Sequence, residues 1–166
     1  KSYDILKDHP LNIERKKQGL KPANCCWFWG AGTKPLLSDF EEKTGKKGMM
    51  ISAVDLLKGI AVGAGMGVAI VEGANGGLHT NYAGKVEAAV KAVCQDGYDF
   101  AYIHVEAHDE MGHQGSLPNK LEAIESLDAK VIRTVVEGMN AAGEPFRLLV
   151  IQYYLQKIHG ILLYID

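Results

Sequence analysis

Short apolar runs alternating with stretches of helical period constrain this chain more than any other feature. The runs Gly48-Met-Met-Ile-Ser52, Gly67-Val-Ala-Ile-Val71, 100–105 and 146–151 are too short for helices. They are nearly continuous rather than alternating, the pattern of strands covered on both faces. Between them, 81–93 places Tyr82, Val86, Val90 and Val93 on one helical face. A longer helix is expected over 117–139, where Leu117, Leu121, Ile124, Val131, Val135 and Met139 recur at helical spacing. Ser52 and Asp55 make a capping box for a helix through Ile60, and 11–19 reads as a short polar helix ending at glycine. Strands alternating with helices predict an α/β fold, a mainly parallel sheet flanked by helices. Cys25-Cys-Trp-Phe-Trp29 is strand-like and stopped by Gly30-Ala-Gly32, and Ile161-Leu-Leu-Tyr-Ile165 resembles an edge strand. With no internal repeat, low-complexity tract or evident linker, residues 1–166 are expected to form a single α/β domain.

Composition excludes several classes. A net charge of −2 leaves no electrostatic footprint for nucleic acid, and the pairs Lys16-Lys17 and Lys46-Lys47 are short enough to be solvated faces. The longest apolar stretch, 60–71, is broken by glycine and short of the roughly 20 residues of a membrane span. Lys1-Ser-Tyr-Asp lacks an apolar targeting segment, so the cytoplasm is the expected compartment. The 3 cysteines match neither a disulfide framework nor zinc-finger spacing, and are expected to be small buried thiols.

Chemistry concentrates in His104-Val-Glu-Ala-His-Asp-Glu-Met-Gly-His113, directly after a strand. Ligands gather beyond the carboxyl ends of strands in open α/β sheets. Carboxylate oxygen and neutral imidazole nitrogen are donors for a divalent cation. Asp109 and His113, four positions apart, are able to face one ion and read as half of a metal site. The bland alternative is a solvated loop, where such a pair is common. Gly73-Ala-Asn-Gly-Gly77 follows a strand and precedes a helix, but matches neither a dinucleotide fingerprint nor a Walker loop. Gly63-Ala-Gly-Met-Gly67 precedes a strand and suits a helix-to-strand turn.

Pro22-Ala-Asn-Cys-Cys-Trp-Phe-Trp-Gly-Ala-Gly32 resembles the Pro-Ala-Asn and Trp-x-Trp-Gly-x-Gly signature of the archaeal-type cofactor-independent phosphoglycerate mutases, members of the alkaline phosphatase superfamily. Further blocks agree in order: Asp8-His-Pro-Leu-Asn-Ile-Glu-Arg15, Ile51-Ser-Ala-Val-Asp-Leu-Leu-Lys-Gly59, Thr80-Asn-Tyr-Ala-Gly-Lys85 and Val105-Glu-Ala-His-Asp-Glu-Met-Gly-His-Gln-Gly115. The resemblance implies an alkaline-phosphatase-like fold and interconversion of 3-phosphoglycerate and 2-phosphoglycerate. It also implies divalent ions (Mn, Zn or Mg) at the carboxyl edge of the sheet and a serine that takes and returns the phosphoryl group. By similarity Asp109 and His113 would ligate one metal. Lys58 and Arg15 are candidates for contacts to the substrate's phosphate or carboxylate, against the plainer readings of a solvated helix lysine and part of a polar face. Lys120 reads as solvated, Trp27 and Trp29 as packing aromatics, and Thr80 and Asn81 as helix caps.

Departures matter as much. His108 stands where the family usually has proline, and His79 where aspartate is common. The family's Pro-Asp-His-Pro-Thr-Pro block is replaced by Gln152-Tyr-Tyr-Leu-Gln-Lys-Ile-His159, and His159 cannot be carried over. No serine here (Ser2, Ser38, Ser52, Ser116, Ser126) has the nucleophile's context. The chain therefore reads as the middle and later part of a longer enzyme, its nucleophile and second metal's ligands not identifiable. A sister phosphotransferase or phosphatase and a non-catalytic α/β module are the competing readings. Sheet edges left open by such a partial fold would favour a homo-oligomer.

Overall fold

The computed structural model of this protein describes residues 1–28, 30, 32–152 and 159–165, which divide into two compact units, Lys1–Pro35 and Leu36–Asp166.

The first unit holds two short helices, α1 (Ser2–Leu6) and α2 (Pro10–Lys17). Proline opens α2 where its missing N–H costs nothing, and the His9 ring accepts from the Leu11 N–H at 3.3 Å. Buried Asn12 ties the chain beyond α2 back onto it. Its amide donates to the Leu6 and Ala23 carbonyls at 2.7 and 3.0 Å, and its oxygen accepts the Ala23 N–H at 2.8 Å. The strand expected next is not there: 25–28 are irregular. The elements described in this unit are helices, so an extended segment has no ladder to join. The Cys26 N–H bonds instead to Ser2 Oγ at 3.2 Å. Trp27 and Phe28 are 83% and 94% exposed, so the packing expected of Trp27 fails. Cys25 and Cys26 are exposed as well, correcting the expectation of buried thiols. Trp29 lies outside the described residues.

The second unit is the α/β body. In chain order it runs α3 (Phe40–Thr44), β1 (Gly48–Ile51), α4 (Asp55–Gly63), β2 (Gly67–Ala69), α5 (Tyr82–Cys94) and β3 (Phe100–His104). There follow α6 (Ala107–His113), α7 (Leu117–Leu127), a π-helical turn (Asp128–Ile132), α8 (Arg133–Ala142), β4 (Phe146–Gln152) and β5 (His159–Ile165). The strands form one sheet in the order β2-β1-β3-β5-β4. β1 pairs in parallel with β2 and β3, while β5 is antiparallel to β3 and β4, so only β5 runs against the rest. The mainly parallel α/β sheet flanked by helices is borne out. The edge-strand reading of 161–165 is corrected: β5 is hydrogen-bonded on both sides, and β4 takes the edge.

Register sorts the side chains. Ile51 lies beside Ile103 and Ala101 beside Leu163, and these inner-face residues pack with Val86, Ala89 and Val93 of α5 and with Val131, Val135 and Met139. Met50 and Tyr102, also paired, point to the other face with His104, as period-two strands require.

Only the second half of the long helical stripe behaves as expected. Val131, Val135 and Met139 are fully buried, whereas Leu117, Leu121 and Ile124 are exposed. The residues turned inward are Ala123, Leu127, Val131, Val135 and Met139, spaced by four. Such spacing drifts around an α-helix of 3.6 residues per turn. The wider π turn at Asp128–Ile132 takes up that drift, keeping both halves against the core but rotating the amino-terminal leucines outward.

Candidate metal centre

β3 ends at His104, and α6 begins three residues later, so the acidic and imidazole-rich segment lies at the carboxyl end of a strand, as expected. Asp109 and His113 are one turn apart on α6, and His113 Nε2 lies 3.2 Å from Asp109 Oδ2. Asp109 is the more sheltered of the two, its side chain 25% exposed against 62% for His113. Val54, Leu56 and Leu57 at the start of α4 face His104, Glu106, Asp109, Glu110 and His113 across a hollow of about 270 Å³. One wall is apolar and the other carries the donors.

The pair brings one carboxylate oxygen and one imidazole nitrogen close enough to share a cation, which fits half of a divalent-metal shell. Among the described residues, no group of three or more His, Cys, Asp and Glu side chains is placed to hold an ion. Further donors would have to come from elsewhere.

Lys58 and Arg15 each hold a local partner. Lys58, on α4, directs its ammonium to Asp55 one turn back at 2.7 Å, and that contact holds the Asp55 carboxyl below its usual range. Arg15, in the first unit, donates from Nε to the Lys21 carbonyl at 2.9 Å. Lys120 sits at the start of α7, where its ammonium lies 3.0 Å from the position a Cβ on Gly112 would take. The capping box is absent. α4 starts after Val54 without a side-chain cap, because Ser52 sits just past the end of β1, two positions before the N-cap. Ser52 is buried there, accepting the Val54 N–H at 3.0 Å and lying 3.3 Å from His104 Nδ1, its neighbour in the continuing β1–β3 register. The His104 ring also stacks on Tyr102, centroids 6.5 Å apart. Asn81 does cap α5, accepting the Gly84 N–H at 2.9 Å, while Thr80 Oγ1 accepts the Asn75 N–H within the preceding loop.

Sequence reading missed Lys85 and Glu106. Lys85 is 1% exposed, and its ammonium donates to the His104 carbonyl at 3.0 Å, under the turn between β3 and α6. Burial lowers its pKa to about 8, with the nearby Glu106 carboxylate opposing the shift. Burial raises the Glu106 carboxyl, the charges of Glu110 and Asp109 add to that, and Lys85 pulls the other way. The signal for Lys85 was its phase: it stands between Tyr82, Val86 and Ala89 on the buried stripe of α5.

Comparisons with known proteins place the chain in a family. A model of the Metalloenzyme superfamily matches residues 7–149. The chain is 46% identical over 147 residues to the 2,3-bisphosphoglycerate-independent phosphoglycerate mutase of Methanosarcina mazei, covering 89% of this chain and 36% of that protein. It is 48% identical over 145 residues to a probable enzyme of the same name from Geobacter sulfurreducens, covering 87% and 36%. Among solved structures, a protein of Pyrococcus horikoshii superposes with a TM-score of 0.67 at 26% identity, over 98% of this chain and 44% of that one. The cofactor-independent phosphoglycerate mutase of Thermoplasma acidophilum gives 0.53 at 27%, over 99% and 39%. The resemblance read from the sequence blocks is thus borne out, and the chain spans about a third of the length of the curated relatives it matches. With most of its residues inside the matched region, the chain belongs to the Metalloenzyme superfamily.

Proposed function

We propose that this chain is part of a metal-dependent phosphoglycerate mutase, an isomerase that interconverts 3-phosphoglycerate and 2-phosphoglycerate through a phosphoserine. The supporting observation is the Asp109–His113 pair at the carboxyl end of β3, in a chain whose similar relatives carry that enzyme's name. Superfamily membership implies a divalent metal, and Mn, Zn or Mg suits a carboxylate–imidazole pair. When bound, such an ion neutralises phosphoryl charge and lowers the pKa of a serine hydroxyl. Asp109 and His113 would hold it from one side, α6 fixing their spacing. Lys58 and Arg15 would meet the substrate's phosphate or carboxylate, Lys58 by exchanging its Asp55 contact for the anion. The serine nucleophile and the ligands of a second metal would be supplied outside the residues identified here. Residues 1–166 would be one α/β domain of a longer cytoplasmic enzyme. Sheet edges such as β4 would be where copies meet.

A non-catalytic module is the second reading, favoured by the two-donor shell among the described residues. A coupled mutase assay on the full-length protein separates them. The proposal expects turnover of 3-phosphoglycerate that falls at least about a hundredfold in Asp109→Ala and in His113→Ala. Turnover untouched by both substitutions, or phosphate release in place of isomerisation, would overturn it.

A further inference from the structure

Three pieces of chain converge on the turn between β3 and α6. From α5 below, the Lys85 ammonium reaches the His104 carbonyl at 3.0 Å. From the side comes Gly73-Ala-Asn-Gly-Gly77, whose Gly76 is so close that an added Cβ would lie 2.7 Å from Glu106 Oε2. The third piece is the turn itself. The Glu106 carbonyl receives the N–H groups of Asp109 and Glu110, at 2.9 and 3.1 Å, and so starts α6. Lys85 is buried, in line with the apolar residues of α5's inner stripe, where a lysine is costly unless its charge is answered. The His104 carbonyl answers it directly and the Glu106 carboxylate only through its field, and both belong to the segment that leads into Asp109.

We propose that Lys85 is a positioning residue of the metal centre. Its buried ammonium holds the His104 carbonyl, and through the short turn that follows it fixes where α6 begins and where Asp109 and His113 point. The Gly-rich loop fits the same arrangement: a side chain at Gly76 would make the Glu106 carboxylate shift. It also accounts for three carboxylates, Glu106, Asp109 and Glu110, crowded at one helix start. Lys85 offsets the charge on the first, leaving the Asp109 carboxylate for the cation. The inference rests on the reading of Asp109 and His113 as ligands, and its test separates the two.

The whole chain is compared with Lys85→Met, Glu106→Gln and Asp109→Ala. Native-state hydrogen exchange at the Asp109 and Glu110 amides is read beside exchange at Ala101 and Ile103 of β3, and Mn²⁺ affinity is read by electron paramagnetic resonance. Lys85→Met keeps the length of the stem and removes the charge. The expected result is exchange at least tenfold faster at Asp109 and Glu110, with β3 unchanged, and Mn²⁺ bound at least tenfold more weakly. Glu106→Gln, on a half-exposed residue, should shift the same amides in the same direction, and it decides the matter should Lys85→Met fail to fold. Unchanged exchange at Asp109 and Glu110 in either folded variant would overturn the proposal. So would acceleration spread equally over β3, the mark of a merely structural lysine. Asp109→Ala isolates the underlying reading. Mn²⁺ affinity equal in wild type and Asp109→Ala would sink the ligand assignment, while the exchange data still decide the role of Lys85.

Discussion

Lys85 and Glu106 carry opposite charges in surroundings that favour neither, and their titration is where this site should be visible in stability. Lys85 has a folded-state pKa of about 8 against an ordinary 10.5. Between those values the unfolded chain holds the proton and the folded chain has released it, so stability rises with pH through that window. The rise attributable to Lys85 is on the order of 3 kcal/mol, fully reached above the unfolded value and absent below the folded one. Urea unfolding of wild type and Lys85→Met from pH 7.5 to 10.5 tests this. Wild type should gain on the variant across the window, and parallel curves would contradict the burial argument. Lys85 was legible in principle, since a lysine in phase with Tyr82, Val86 and Ala89 is a conflict between charge and pattern. Glu106 was not. Its importance depends on the approach of Gly76, some thirty positions away, and no spacing rule encodes that contact.

Elements were most legible where one period governs a whole segment. The cores of β1, β3, β4 and α5 match their expected ranges because each has either a continuous apolar run or a single unbroken stripe. The long helix shows where a single period misleads. Its apolar positions fit one stripe only if the helix is uniform, and the π turn at Asp128–Ile132 divides them between core and surface. This carries a prediction: Met139→Ala, at a fully buried site, should cost about 2–5 kcal/mol. Leu121→Ala, on an exposed position of the same expected stripe, should stay within about 0.5 kcal/mol. Denaturant midpoints of the two variants check it, and equal losses would put the stripe back in one piece. The strand expected over 25–28 failed for a different reason. Aromatic residues next to one another signal a strand only when a ladder is there to receive them, and the elements described in the first unit are helices.

At the scale of the whole molecule, sheet order decides what the site can be. β3 is interior, parallel to β1 and bonded to β5, and its carboxyl end delivers α6 with Asp109 and His113 facing the start of α4. Family blocks in the sequence located this pair, because carboxylate and imidazole at four-residue spacing on a post-strand helix must share a face. They said less about Lys58 and Arg15, whose long side chains settle on local partners, Asp55 and the Lys21 carbonyl. The central claim is that Asp109 and His113 are metal ligands on a rigid helix. Anomalous scattering from Mn²⁺-soaked crystals of wild type and Asp109→Ala tests it most directly. The expected result is a manganese peak bridging Asp109 and His113 that disappears in the variant. A peak elsewhere, or one that survives the loss of the Asp109 carboxylate, would contradict it.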